Sequence, residues 1–478
     1  MQQEELISLV HKIKEQKCET QEMEIKAAEK ACPTRLFNTL SSFSNQDSGG
    51  VIVFGVAEDQ NFAVVGVYHA QDLQKKVTEQ CKQMEPVVRP LFTVATWEGK
   101  TVVSAEIPSV DVIERPVFYK GAGRIRGSYI RVGESDEQMS EYEIYSYEAY
   151  RRKISDELRA LDQVVPAELN QDEVALFLAK LRAKKPNLAG LTEQKNLALS
   201  GVYVKEKLTL AGLMLFGLYP QALFPQLCIT AVVVPGYQMG EIGEGGERFI
   251  DNKKFEGTIP QMIQGAMTFI TRNMRERIII DQNARRADKT EYPIKAIREI
   301  ILNAVIHRDY SIHTENSPIR IIMFFDRIEV ENPGGLYGRI TLGNLGKVGA
   351  DTRNPYIASN LEIIADTENR FSGIPIIMHE MEKAGLPPPL FENTRGVFKV
   401  TLYNEKKAQG EGKGSSITER VLVFCGTPRT RAELEQFTGF SRYYTMSKIV
   451  QPLVDAGALK LTLPDKPKSA KQKYVISG

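Results

Sequence analysis

The sequence predicts an α+β protein of several domains, on three observations. At 478 residues the chain is too long for one ordinary core, so roughly two to four domains are expected. Stretches of helical periodicity alternate with short apolar runs of strand character along its length. A Gly-, Lys- and Ser-rich stretch, EKKAQGEGKGSS at 405–416, has no apolar anchor and reads as a flexible linker before a last domain. The expected division is a module over 1–152, a helical connector over 153–200, a second module over 201–404, the linker, and a third module over 417–478.

In the first module, the text from Glu4 to Lys30 suits a helix and then a short strand, EMEIKA. A helix over Arg35 to Ser44, the buried strand GGVIVFGVAED and the helix AQDLQKKVTEQCKQM follow. TVATWEGKTVVSAEI alternates as a hairpin turning at Glu98-Gly99, and GSYIRVGES adds a strand before the module closes near Arg152. After charged helical text broken at Pro186 and Gly190 come LTLAGLMLFGLYP, LCITAVVVPGY and the helix FEGTIPQMIQGAMTFITRNM. The helix EIILNAVIHRDY, the strands IRIIMFFD, RIEVENP and VFKVTLYN, and HEMEKAGLPPP complete the second module. From Ile417 the order is helix, helix, helix and two strands around the basic turn PDKPKSAKQ, the order of a winged helix-turn-helix.

Composition restricts function less than it restricts class. With 42% hydrophobic and 25% charged residues and a net charge of +1, the chain reads as soluble and globular with no global pull toward nucleic acid or membrane. Any basic surface must be local. No apolar run approaches the roughly 20 residues of a membrane span. The cysteines at 18, 32, 81, 228 and 425 form no CxxC pair, and the start of the chain has no apolar signal core, so a reducing cytoplasm and no structural zinc are expected.

Chemistry concentrates first in EIILNAVIHRDY. Pro293 suits a first helical turn, and Glu299, Asn303 and His307 follow at i+4 spacings that stack them in one column. Ile297, Ile300, Ile301, Leu302, Ala304, Val305 and Ile306 take most of the remaining circumference, so the helix must be buried. Each unsatisfied polar group in such a place costs about 1–3 kcal/mol, so the column needs partners, either a hydrogen-bond ladder to a neighbouring strand or a ligand. Three groups in register favour the ligand. A kinase catalytic loop at His307-Arg308-Asp309 would need an Asn five residues after the Asp; Thr314 stands there and no DFG occurs.

YPIKAIREIILNAVIHRDY, with DRIEVENPGGL, TRNPYIASNL and SGIPIIMHEMEKAGLPPPLF, resembles the C-terminal ATPase-like domain of RecG-like helicases or transcriptional regulators, a branch of the GHKL fold. The resemblance implies an α/β sandwich binding ATP and Mg²⁺, with Asn303 holding the metal against the phosphates and Glu299 as general base. Both assignments suit the preference of Mg²⁺ for oxygen ligands and the need of an attacking water for a carboxylate. By the same resemblance Gly334 and Gly335 approach the base, unless they form a plain turn after Pro333. Glu331 or Asn332 stands where the fold usually has an adenine-reading Asp. Ser372 and Gly373 open a helix whose N-terminus can accept phosphate. Phe371 replaces a frequent Gly there, which makes binding more secure than hydrolysis. His307, Arg308 and Asp309 frame the pocket or tie down the helix end. No GxxxxGK[ST] occurs, so there is no P-loop motor for a helicase.

CETQEMEIKAAE followed by LSSFSNQDSGGVIVFGVAEDQNFAVVGV resembles the divergent Alba-like domain of Schlafen proteins over roughly 15–150, a span continued by GSYIRVGES. In nuclease members two Glu, a Lys and a later Asp form a metal-dependent site. Glu19, Glu24 and Lys26 match its spacing and Asp59 is taken as the third acid, with Glu19, Glu24 and Asp59 holding Mg²⁺ or Mn²⁺. Nucleic-acid contact without cleavage and an exposed amphipathic edge are the other readings, and Gly49-Gly50 is read as close packing or a turn. In the last module Arg442 and Tyr443 on the recognition helix, with Lys466 and Lys468 on the wing, are the nucleic-acid contacts expected, unless the module docks a protein. The leading reading is an ATP·Mg²⁺-responsive regulator that binds DNA or RNA. The alternatives are an ATP-gated nuclease of tRNA or single-stranded nucleic acid in anti-phage defence, and a scaffold with vestigial sites. A homodimer or higher homo-oligomer is the family-level expectation.

Overall fold

The computed structural model describes residues 1–162, 169–243, 245–280, 286–349, 351–365, 373–404, 417–438, 445–464, 469 and 472–477. The expected linker 405–416, Phe371, Ser372, Arg442, Tyr443, Lys466 and Lys468 lie outside the described residues.

The N-terminal region is built on a four-stranded sheet in the order Met23–Lys26, Gly50–Phe54, Lys100–Ile107, Leu91–Trp97. The first pair is parallel and the others antiparallel. Both faces are covered, which is why GVIVF is apolar without alternation. Ile52, Phe54, Val103 and Ala105 face the helices Phe37–Asn45 and Ala70–Cys81. Met23, Ile25, Val53 and Val102 face the helix Gln3–Gln16. The hairpin turns where expected, Trp97 pairing with Lys100 and both Glu98 and Gly99 at positive φ, as a tight two-residue loop between twisted strands requires. A Cβ on Gly50 would sit 2.4 Å from the Phe43 ring, so Gly50 permits close packing of helix on sheet, while Gly49, at φ +68°, comes close to the Ile107 carbonyl.

A second, six-stranded sheet runs Asp251–Phe255, Ile229–Val233, Ile319–Met323, Arg327–Pro333, Val397–Tyr403, Leu390–Thr394. Only Ile229–Val233 and Ile319–Met323 are parallel. The helices Ile259–Asn273, Ile294–His307 and Gly373–Lys383 share its main core with the sheet. The two edge strands were not anticipated: DNKKF is mostly polar and LFENT short, and edge strands need only one half-buried face. At the C-terminus the helices Ile417–Phe424 and Arg431–Thr438 and the helical run Thr445–Val450 with Gln451–Asp455 pack with a three-stranded sheet of Arg429–Thr430, which lies between the first two helices in sequence, Lys473–Ile476 and Leu459–Leu461. Val421, Leu434, Ile449, Leu459 and Tyr474 are buried together there. Among the described residues no helix is long and apolar enough to cross a membrane.

One buried carboxyl fastens the connector to the second region. Glu157, fully buried in the short turn Asp156–Leu158, accepts the backbone N–H groups of Tyr356 at 2.9 Å and Ile357 at 2.8 Å. These are otherwise unpaired donors in the first turn of the helix Pro355–Ile364. Burial pushes the carboxyl up to about 7, against the pull of those two N–H groups. A folded-state value above the unfolded one gives stability that is complete below the unfolded value and is lost as pH rises through the folded one. Urea unfolding should therefore show a contribution of about 2–3 kcal/mol disappearing between pH 4.5 and pH 7.5. Glu157→Gln should flatten that slope; an unchanged slope would put the titrating group elsewhere.

Candidate functional site

The column on Ile294–His307 opens onto a cavity of about 340 Å³ between that helix, the sheet and the loops after Pro333. Glu299, Asn303, His307, Asn332, Gly334, Gly335 and Gly373 all line it. The size is at the lower end for small-molecule sites. The rest of the helix is anchored by its apolar face: Ala296, Ile297, Ile300, Ile301, Ala304 and Val305 are buried.

Strand alternation separates the two candidates on Arg327–Pro333. Ile328, Val330 and Asn332 are buried, Val330 and Asn332 at the cavity. Glu331 points the other way, pairs with Arg320 at 2.7 Å and does not line the cavity. Gly334 has φ of +110°, and a Cβ on it would fall 2.8 Å from the Asp309 Cβ, so the chain turns here close against the helix end, and Gly334 and Gly335 also line the cavity. Gly373 is needed for close approach, since its Cβ would stand 2.7 Å from Asn303 Nδ2.

Polar groups on this wall lack protein partners. Asn303 Nδ2 and Asn332 Oδ1 are buried with no hydrogen-bond partner. Burial pushes the Glu299 carboxyl up, with Arg298 opposing. Burial, reinforced by Arg353, pushes His307 down to about 4, so the imidazole is neutral at pH 7. Of the described lining residues Glu299, Asp351 and Glu362 are acidic and none is Lys or Arg. A polyphosphate would thus meet negative charge unless a divalent cation came with it. Glu299 and Asn303, one turn apart, supply the oxygen donors that Mg²⁺ takes.

Arg308 and Asp309 lie beneath the helix end, as framing groups. Arg308 is buried and donates to the Thr314 carbonyl at 3.1 Å, and Asn354 donates to the Ile306 and Arg308 carbonyls at 2.8 and 2.7 Å, closing the C-terminus. Asp309 pairs with Arg353 at 2.5 Å. Burial alone would raise the Asp309 carboxyl, but Arg353 and the Ser311 N–H outweigh it and hold it below the usual carboxylate range.

Sequence reasoning missed how this rim meets the helix Glu141–Arg152 at the end of the N-terminal region. Tyr150 donates to Asp351 at 3.0 Å and stands edge-on to Tyr337, and both partners line the cavity. Tyr142 receives Arg353 Nη1 at 3.4 Å, while Arg353 Nη2 donates to the Gly335 carbonyl at 3.3 Å and its guanidinium lies over Tyr337. Tyr145 bonds Asp156 at 2.8 Å, and an Arg395–Glu137 ion pair adds a second tie. The four tyrosines of EYEIYSYEAYRR were a signal: a helix that aromatic on an otherwise charged stretch needs a surface to cover.

The N-terminal acids form a different group from the one expected. Glu24 and Asp136 sit 2.8 and 3.0 Å from Arg131 Nη1, and Glu19 3.7 Å from Nη2; the guanidinium is 1% exposed. Lys26 pairs with Glu24. Thr39 and Ser42 donate to Asp136 at 2.6 and 2.5 Å. Asp59 is not among them: it is exposed, on the turn Glu58–Gln60 beyond the end of the strand. Among the described residues no three His, Cys, Asp or Glu side chains are grouped to hold a metal ion.

Comparison with known families places two segments. Residues 19–140 match the model described as "Schlafen, AlbA_2", and residues 316–402 the one described as "Putative ATP-dependent DNA helicase recG C-terminal". The chain thus carries a Schlafen/AlbA_2-like segment and a RecG-C-terminal-like, ATPase-like segment, a pairing that points to an ATP-binding protein of nucleic-acid-related type. The second match begins after the helix of Glu299 and Asn303.

Among solved structures, the DIP2311 protein from Corynebacterium diphtheriae is 16% identical over 99% of this chain and 97% of its own, with a TM-score of 0.40. The N-terminal domain of a putative ATP-dependent DNA helicase RecG-related protein from Nitrosomonas europaea is 24% identical over 28% of this chain and 93% of its own, with a TM-score of 0.23. At those scores neither likeness bears on function. No curated protein matches the chain.

Proposed function

We propose that the chain is a nucleotide-responsive regulator of nucleic-acid engagement and not a motor helicase. ATP with Mg²⁺ occupies the cavity around Asn303, and occupancy sets how the N-terminal module meets DNA or RNA. The observation that carries this reading is the helix Glu141–Arg152. It follows directly on the strand Ser135–Gln138 of the Schlafen/AlbA_2-like segment, and its Tyr142 and Tyr150 contact the rim residues Arg353 and Asp351. A ligand that reorders the rim must move or hold that helix. The helix-on-sheet arrangement around the cavity supports a GHKL-like fold for the nucleotide domain. The C-terminal order of helices and paired strands supports a winged helix as a second nucleic-acid contact.

The test is fluorescence anisotropy of labelled single- and double-stranded DNA and RNA with and without ATP·Mg²⁺. Coupling of ordinary size changes affinity about 5- to 150-fold, and binding linkage requires nucleic acid to change ATP affinity by the same factor. Asn303→Ala should remove the nucleotide effect while leaving nucleotide-free binding in place. Equal affinities in both states for every nucleic acid tested would refute the coupling.

A further inference from the structure

The cavity floor carries a neutral amide side chain, Asn332. Asn332 is 5% exposed, lies on the inward face of its strand beside Val330, and is paired across the sheet with Phe398, both of which also line the cavity. Its Oδ1 has no partner, and Asn303 on the helix side of the same cavity leaves Nδ2 without one. Buried polar groups in native proteins are nearly always paired, so two unpaired amides in one otherwise largely apolar cavity mark places where ligand atoms belong.

A carboxamide carries an acceptor beside a donor, and which side is which reverses when the group turns over. Adenine presents an amine donor next to a ring-nitrogen acceptor, and guanine a carbonyl acceptor next to a ring N–H donor. An amide satisfies either edge by turning over; a carboxylate, which only accepts, does not. We propose that the pocket takes purine nucleotides through Asn332 without choosing between adenine and guanine, so that GTP occupies it as readily as ATP. The inference rests on the nucleotide reading above and specifies its ligand class.

Isothermal titration of the full chain with ATP, GTP, CTP and UTP, each with Mg²⁺, tests it. Wild-type affinities for ATP and GTP should agree within tenfold, with both pyrimidine nucleotides at least tenfold weaker because one ring leaves part of the apolar wall uncovered. Asn332→Leu should weaken both purines at least tenfold, while its nucleotide-free melting temperature stays equal or rises because an unpaired buried group is gone. Asn332→Asp, accepting only, should move the GTP:ATP affinity ratio at least tenfold toward GTP, whose ring N–H and 2-amino group both donate.

A wild-type preference above a hundredfold for one purine overturns the inference and leaves the nucleotide reading standing. So does binding of both purines that neither variant alters, or pyrimidine binding as tight as purine binding. Failure of the wild type to bind any nucleotide overturns the nucleotide reading itself.

Discussion

Arg353→Leu should cost the protein about 3–5 kcal/mol, the range for removing one partner of a buried ion pair. Arg353 is 6% exposed and Asp309 2%, and the leucine would strand the carboxylate next to the Gly334 backbone with its counter-charge gone. The loss comes from that stranded charge more than from the pair's net value, because two buried charges regain in mutual attraction little more than they lose in hydration. Asp309→Asn added to Arg353→Leu should therefore recover more than half of it. Denaturant midpoints with unchanged slopes would report both effects. The single variant should also lose the nucleotide dependence of nucleic-acid binding, since Arg353 touches both Tyr142 and the Gly335 carbonyl. A single variant within 1 kcal/mol of wild type, below the roughly 3 kcal/mol floor for such pairs, would show that water already screens this site.

What the sequence disclosed divides by distance along the chain. The Glu299, Asn303, His307 column was readable because i+4 spacing alone stacks side chains, and the cavity receives all three. The choice between Glu331 and Asn332 was left open in the sequence; in the structure the period of two that buries Ile328 and Val330 also buries Asn332 and turns Glu331 the other way. Contacts across long separations were not readable. Tyr150 and Asp351 are 201 residues apart, and nothing local in EYEIYSYEAYRR says which loop its tyrosines cover. The third N-terminal acid was sought near Glu24 in sequence, at Asp59. The strand Met23–Lys26 runs parallel to Gly50–Phe54, so Asp59 emerges past its end, while Asp136 returns on a later hairpin with Arg131.

That hairpin makes Arg131→Leu the second large effect. Arg131 pairs with Glu19, Glu24 and Asp136 at once, and burial already pushes the Glu19 carboxyl up despite the Ile25 N–H it accepts at 2.8 Å. Without the guanidinium the three acids keep only Lys26 as a counter-charge, and the loss at pH 7 should again be about 3–5 kcal/mol. The Glu19 carboxyl, already pushed up to about 7, would rise further once the guanidinium no longer opposes that shift, so the variant should regain stability as pH falls through that raised value, completely by about pH 4, and lose it again as pH rises. Millimolar Mn²⁺ supplies the missing positive charge and should raise the variant's melting temperature while leaving the wild type nearly unchanged. Metal-dependent cleavage through Glu19 and Glu24 needs these same oxygens, which in the wild type are engaged by Arg131. A wild type stabilised by Mn²⁺ as strongly as the variant would show that the guanidinium yields to the cation and would move the nuclease alternative ahead; stabilisation of the variant alone keeps the cluster as a structural clasp.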